Sequence, residues 1–494
     1  MTSRELLVAS NRGPVSLVAD DAGGVRAVRG GGGLVSGMSS ALSAGGLWVC
    51  CAMGDVEREF AARAPGGHLA AAGVDTGGLD VRMLPVPADT FRDAYQGIAN
   101  QTLWFVHHLL YDVPTQPAFD ASWRSQWDSY RQYNRAFAEA LAAEAAQGGT
   151  VMVQDYHLFL VPSMLREWRP DVRIGHFTHT PWASPDYFAM LPADVARQVL
   201  IGMLGADHLG FHCRRWALAF ASCCRRVLDA VVDTGSDPDP ATGAAGSDVS
   251  VRHGGRTTRI RVHPLGTDGA GLRDRAGAAD VRERLAALRD RIGNRRVIGR
   301  VDRTEPSKNV VRGLLAYREL LVSHPEWRGR VTHVGYVYPS RQDIALYREY
   351  TQAVRGQADR INAEFGTGDW TPVVLELAND YPGSLAALVA TDVLLVNPIR
   401  DGMNLVAQEG VILAAGGCAL GLSEQAGAFD LLGEHALVIN PYDITGTAGA
   451  LHTALSMSDG ERVERTRRMV AAATELPPAD WFAEQLAAVA DRTG

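Results

Sequence analysis

Two doubly wound α/β domains are the fold class that this sequence predicts, and three observations carry that reading. Short apolar runs alternate with segments of helical period through both halves of the chain, the pattern of parallel strands covered by helices on both faces. At 494 residues the chain exceeds what one hydrophobic core ordinarily organises, so two domains with a cleft between them are expected. The alternation stops at His263-Pro264-Leu265-Gly266 and then restarts, which sets one domain over 1–265 and a second over 266–476. Pro477-Pro478 breaks the chain again before a last apolar helix in 477–494, which could cross back onto the first domain.

In the first half, Tyr133, Phe137 and Leu141 recur at helical spacing, Gly148-Gly149 is expected to end that helix, and Val151-Met152-Val153 begins the next strand. Ile174 to Thr180 reads as the following strand and ends in His179-Thr180-Pro181. Thr234 to Ser250 lacks periodicity and is rich in Gly, Pro, Asp and Ser, so a mobile surface loop is expected there. Arg256 to Val262 alternates as a strand. In the second half, strands are expected at Val297-Ile298, Val331 to Val334, Val373 to Leu377, Val393 to Val396 and Ala436 to Ile439. Helices are expected from Asn309, from Gln342 and over Leu405 to Ala415.

A formal net charge of -8 argues against a nucleic-acid partner, because binding a phosphate backbone needs a basic surface. Anions must then be held by local clusters. The six cysteines, Cys50-Cys51, Cys213, Cys223-Cys224 and Cys418, show no paired C-x-x-C spacing, so buried free thiols are expected, with no metal and no cofactor. The first apolar run, Leu6 to Ala9, is too short for a signal peptide, and no run approaches the roughly 18 residues that a membrane span needs. A cytoplasmic protein without a membrane partner is expected, and a homo-oligomer is left open.

Open α/β sheets bind ligands beyond the carboxyl ends of their strands, so polar motifs there matter most. Ser10-Asn11-Arg12 follows the first strand, and Gly30 to Gly33 precedes a helix near Leu34, where glycine lets backbone approach a ligand and helix N–H groups face an anion. A flexible loop explains four glycines nearly as well, and the run does not match the G-x-G-x-x-G of dinucleotide-binding dehydrogenases. Arg303-Thr304-Glu305-Pro306-Ser307-Lys308 sets two cations five residues apart beyond a strand, which suits a diphosphate but also suits a solvated loop. Arg400 to Glu409, RDGMNLVAQE, follows Val393 to Val396; its glycine permits a tight turn, the next helix offers free N–H groups, and Glu409 stands about one turn beyond Leu405, where it could accept from ribose hydroxyls.

RDGMNLVAQE closely resembles the signature of the trehalose-6-phosphate synthases, retaining glycosyltransferases of family 20 with GT-B architecture, two Rossmann-like domains facing across a cleft. The resemblance extends over nearly the whole chain through Ser10 to Arg12, Gly32 to Leu34, Gly45 to Trp48, Tyr95 with Trp104, Gln154 to Leu158, His179 to Trp182, Leu209 to His212, Pro339 to Arg341 and Asn440 to Asp443. It implies that Gly33, Arg303, Lys308 and the backbone around Asp401-Gly402-Met403-Asn404-Leu405 hold the donor diphosphate, that Glu409 binds its ribose, and that His179 and Asp401 contact the transferred glucose. It further implies an acceptor pocket of Arg12, Tyr95, Trp104, Asp155 and Arg341, with Arg12, Tyr95 and Arg341 near the phosphate.

Four departures stand out: Cys51 where the family has Trp, RTEPSKN for the usual R-L-D-Y-S-K-G, Tyr338 with Asn379-Asp380-Tyr381 on the base side, and Gln408 for a common Lys. The implied activity is glucosyl transfer from a nucleoside diphosphate glucose, GDP-glucose ahead of UDP-glucose, to glucose 6-phosphate. His179, Arg303, Lys308 and Asp401 are the implied catalytic residues of a metal-free front-face reaction. The alternatives are a pseudo-glycosyltransferase resembling validoxylamine 7'-phosphate synthases and a catalytically silent sugar-phosphate sensor.

Overall fold

The computed structural model describes residues 3–19, 24–30, 33–43, 45–236, 248–414 and 416–491. The chain falls into two compact units, Met1–Leu265 with Pro478–Gly494, and Gly266–Pro477.

The first unit is built on a nine-stranded sheet in the order Asp80–Leu84, Leu47–Cys51, Arg4–Ala9, Ala145–Gln154, Arg173–Thr178, His208–Phe211, Arg256–Val262, Val249–His253, Val231–Asp233. The first seven run parallel, and the last two pairings, Arg256–Val262 with Val249–His253 and Val249–His253 with Val231–Asp233, are antiparallel. The strand Ala145–Gln154 begins directly after the helix Ala121–Glu144, so Gly148-Gly149 lies inside a strand and does not cap the helix. The glycine pair sits where pairing with Arg4–Ala9 shifts register, and Gly148 has φ 72°, which a bulge tolerates in glycine. Of the expected loop Thr234 to Ser250, residues 237–247 lie outside the described residues, and Val249–His253 is a strand paired with Arg256–Val262. The helix Pro478–Ala490 packs on the helix Gly33–Leu42, where a Cβ on Gly37 would meet the Pro478 carbonyl at 2.4 Å, and Trp481 Nε1 donates to the His263 carbonyl at 3.0 Å.

The second unit is a six-stranded, all-parallel sheet in the order Val373–Glu376, Val331–Pro339, Arg296–Thr304, Val393–Val396, Ala419–Ser423, Leu437–Ile439. Numbered within the unit this is 3-2-1-4-5-6, the dinucleotide-fold order. Both faces are covered: Leu394 and Val396 join the core with Val411, Leu420 and Met469, while Val393 and Leu395 join the opposite core with Leu314, Tyr317 and Leu451. That division is what side-chain alternation along a doubly buried strand produces. All six cysteines are free and buried, and burial pushes the Cys51, Cys223 and Cys418 thiols up to about 12. Among the described residues no helix is long and apolar enough to cross a membrane.

Candidate active site

In the second unit the strand order reverses between Arg296–Thr304 and Val393–Val396, and the two motifs rich in charge leave the carboxyl ends of those two strands. Lys308 ends a single 3-10 turn, Pro306–Lys308, and its Nζ lies 2.5 Å from Asp401 Oδ2. Asn404 Nδ2 donates to the same Asp401 oxygen at 3.0 Å. Burial alone lowers the Lys308 pKa, but the Asp401, Asp302 and Glu305 carboxylates outweigh it and the pKa is raised, so the side chain stays an ammonium. Arg303 Nη2 lies 2.8 Å from Glu305 Oε1.

Beneath this loop runs a buried polar layer. Arg300 is fully buried; its Nη1 donates to Asp302 Oδ2 at 2.9 Å and to the Lys308 carbonyl at 3.0 Å, and its Nη2 donates to Asn397 Oδ1. A Cβ on Gly313 would stand 2.9 Å from that Nη2, so the glycine makes room for the arginine. Burial, against the pull of Arg300 and Lys308, pushes the Asp302 carboxyl up to about 6. Asn309, where the resembled motif has glycine, adopts φ 57° and donates to the Asn397 and Pro441 carbonyls at 3.0 and 2.7 Å. Asparagine tolerates the left-handed region best among residues with a side chain, and this one adds two hydrogen bonds to the turn.

Asn404, at φ 77°, caps the helix Leu405–Leu413 by accepting from the Ala407 N–H at 3.2 Å. Gly402 and Met403 are buried behind it, and a Cβ on Gly427 would overlap the Gly402 carbonyl, so two backbone segments meet here. Glu409 is half-buried, burial raises its pKa, and its carboxylate makes no hydrogen bond or ion pair among the described residues. Gln408 is fully buried and accepts from Thr267 Oγ1 at 2.9 Å. Asp380 caps the helix Tyr381–Ala390 and pairs with Arg284 at 2.8 Å; Tyr381 lies near enough to Glu409 for that carboxylate to raise its pKa, after burial.

The first unit reverses its strand order between Arg4–Ala9 and Ala145–Gln154, and Ser10-Asn11-Arg12 and Asp155 follow those strands. Ser10 Oγ donates to the Arg12 carbonyl at 2.6 Å and accepts from Trp48 Nε1 at 2.7 Å, and Tyr133 Oη donates to Asn11 Oδ1 at 2.6 Å. Neutral hydrogen bonds thus pin the turn and leave Arg12 exposed, its Nη2 3.5 Å from Tyr95 Oη. Tyr95 belongs to a wide helical segment, Asp93–Leu103, and stacks on Phe91 and His157 with centroids at 5.1 and 5.6 Å. Such π-helical turns are frequent at functional sites. Trp104, 8% exposed, stacks on His108 at 3.8 Å and leans on Tyr156 at 5.6 Å.

Asp155 has φ 71°, a left-handed backbone that costs a non-glycine residue energy, and its Oδ1 accepts from the His179 N–H at 3.1 Å. His179 Nε2 lies 3.0 Å from Gln154 Oε1. Burial, then His212 and His176, holds the His179 imidazole well below its ordinary pKa, so the ring is neutral and Nε2–H donates to Gln154. Arg12 with Tyr95, Asp155 with His179, Lys308 with Asp401, and Arg303 with Glu305 are therefore brought together. Gly33 opens the helix Gly33–Leu42, and the preceding Gly31 and Gly32 lie outside the described residues.

The sequence reading passed over Arg300, Asp302 and Tyr347, whose side chains organise the second unit's motifs. A signal existed: Arg300 and Asp302 stand at alternate positions of the strand Arg296–Thr304, among apolar residues, where a buried charge must have a partner. Among the described residues the His/Cys/Asp/Glu trio close enough to share a metal ion is His324, Glu326 and His452. It sits at the amino-terminal side of the sheet, away from the motifs above. The two imidazoles stack at 3.7 Å and 11°, so their lone pairs run side by side, and Trp327 Nε1 donates to His452 Nδ1 at 3.1 Å.

Glycosyltransferase family 20 matches residues 4–491. A bifunctional trehalose-6-phosphate synthase/phosphatase of Thermoproteus tenax is 35% identical over 79% of this chain, which spans 51% of that relative's length. A trehalose-6-phosphate synthase of Mycobacterium avium is 37% identical over 79% of this chain and 77% of its own. The crystal structure of an alpha,alpha-trehalose-phosphate synthase (UDP-forming) from Burkholderia xenovorans in complex with glucose-6-phosphate superposes with a TM-score of 0.83 at 26% identity, covering 99% of this chain and 100% of that one. The two Rossmann-like α/β units, the order of the motifs along them and the match over residues 4–491 lead to one conclusion: the chain belongs to glycosyltransferase family 20.

Proposed function

We propose that this chain transfers glucose from a nucleoside diphosphate glucose to glucose 6-phosphate, forming trehalose 6-phosphate with retention of configuration. The observation that carries the reading is the Lys308–Asp401 pair at the strand-order reversal of the second unit, with Arg303 at the end of the strand before Lys308 and Glu409 one helical turn into the helix Leu405–Leu413. Fixed cations and helix N–H groups there meet a diphosphate whose negative charge grows as the sugar departs. Glu409 accepts from the donor ribose, and neutral His179 and Asp401 bond the glucose hydroxyls. Arg12, Tyr95, Trp104 and Asp155 are the acceptor residues of the first unit, and Arg341 is that of the second. The names of the relatives and the glucose-6-phosphate held by the Burkholderia structure support this acceptor.

In the proposed reaction the bond from glucose C1 to the diphosphate breaks as the acceptor's anomeric hydroxyl bonds to C1 on the same face. The acceptor's proton passes to the leaving phosphate oxygen. Side-chain cations take the part a metal would otherwise take, so no metal is required. The departures from the family's residues at Tyr338 and Asn379-Asp380-Tyr381 are what support GDP-glucose ahead of UDP-glucose in this reading. A panel of UDP-, GDP- and ADP-glucose with glucose 6-phosphate, in the presence of a chelator and with products read by NMR, tests all of this. Trehalose 6-phosphate formed fastest from GDP-glucose is expected. No coupled product from any donor overturns the activity, and a rate restored only by magnesium overturns the metal-free mechanism.

A further inference from the structure

Two arginines that the proposed function assigns to different substrates share one carboxylate. Glu305 is fully buried; its Oε1 lies 2.8 Å from Arg303 Nη2 and its Oε2 3.5 Å from Arg341 Nη1. A buried carboxylate is stable only when paired, so the two guanidiniums and Glu305 depend on one another. The backbone holds this arrangement in place. The Glu305 N–H donates to the Arg303 carbonyl at 2.8 Å, and the Glu305 carbonyl accepts from the Lys308 N–H at 3.0 Å. Arg341 has φ 50°, and its Nη1 also donates to Oη of the fully buried Tyr347 at 2.7 Å. A residue in a costly backbone conformation whose Nη1 faces both the Tyr347 hydroxyl and the Glu305 carboxylate has little freedom to leave its place.

We infer that Glu305 is a positioning residue for both substrates. One of its oxygens sets Arg303 for the donor diphosphate, the other sets Arg341 for the acceptor phosphate, and the two binding events are coupled through this single side chain. Each guanidinium meets Glu305 as an ion-pair partner, so one buried carboxylate orients both. The inference rests on the substrate assignment of the proposed function. In the resembled motif R-L-D-Y-S-K-G an aspartate stands at this place, which makes Glu305→Asp the conservative variant.

The test measures Kd for the nucleoside diphosphate alone and for glucose 6-phosphate alone by calorimetry, with kcat and both KM values, on the full chain. Glu305→Gln keeps the side chain's size and removes its charge. It is expected to weaken both ligands by about tenfold or more, as the loss of one member of a buried ion-pair set does, while Arg303→Ala weakens chiefly the nucleotide and Arg341→Ala chiefly the sugar phosphate. Glu305→Asp is expected to recover most of the loss on both ligands. A Glu305→Gln protein in which only one ligand is affected, or neither, overturns the inference. So does one in which both bind more tightly, since Glu305 would then be no more than a competing anion. If Glu305→Gln does not fold, Glu305→Asp decides: parallel changes for both ligands support the inference and a change in one alone overturns it. Failure of the substrate reading is seen separately, as absent turnover by the unsubstituted chain; inorganic pyrophosphate and phosphate then replace the two ligands in the same titrations, with the same outcomes.

Discussion

The two units reverse strand order at the same place in their sheets and project their motifs from the same strand ends, yet they fix those motifs by different means. In the first unit Ser10, Trp48, Asn11 and Tyr133 hold the turn with neutral hydrogen bonds, and the cation Arg12 stays exposed. In the second unit the loop rests on buried charge: Arg300 with Asp302, Glu305 with Arg303 and Arg341, Lys308 with Asp401. One topology therefore supports two electrostatic designs. A loop that must stabilise charge appearing during a reaction gains most from cations fixed in a low-dielectric setting, while a loop that holds a charge already present can leave its cation in water.

That contrast breaks most readily at Arg300. Arg300→Met leaves Asp302 buried without its partner and should cost about 3–5 kcal/mol, read as lost hydrogen-exchange protection of the strand Arg296–Thr304. Protection equal to that of the unsubstituted chain would remove the buried charge layer from the explanation. Next in size is Lys308→Ala, expected to lower the single-turnover rate by about 10²–10³, or about 2.7–4 kcal/mol, whereas Arg12→Ala should act through the preference for glucose 6-phosphate over glucose. A Lys308→Ala protein that differs only in the acceptor's KM would contradict the division of roles.

Acid separates the units by degree. Burial lowers His176 to about 3 and His263 to about 4 in the first unit, with His179 and His208 also well below their ordinary value; in the second unit it lowers His333 to about 3. The unfolded imidazoles titrate near 6.5, so the stability they contribute is complete above that pH and is lost as pH falls toward 3–4, by about 1.4 kcal/mol per pH unit for each. Asp302, raised to about 6, works in the opposite direction in the second unit, since acid relieves its burial. Between pH 6.5 and 4.5 the first unit should lose hydrogen-exchange protection first, and earlier loss in the second would contradict these assignments. The smallest effect is Tyr133→Phe, which removes one buried hydrogen bond to Asn11 and should cost about 1 kcal/mol in protection of the first unit.

The units were not equally legible in the sequence. Apolar runs located five of the second unit's six parallel strands, most plainly Val393–Val396, which is buried on both faces, and missed Ala419–Ser423. The first unit's edge was missed: Val249–His253 and Val231–Asp233 are short antiparallel strands flanking a stretch without periodicity. Gly148-Gly149 misled because glycine marks a helix end and a strand bulge alike. The motifs were legible as residue types at strand ends. The partners that position them were not, because Glu305 reaches Arg341 and Arg300 reaches Asn397 across gaps in sequence that no spacing rule spans.

The most direct test of the proposed transfer is the NMR spectrum of the product formed from donor labelled with carbon-13 at glucose C1, incubated with glucose 6-phosphate and a chelator. The expected spectrum is that of an α,α-linked disaccharide phosphate, with the label retained in the α configuration. A β-configured label, or release of free labelled glucose with no coupled product, would contradict retaining transfer to a sugar phosphate.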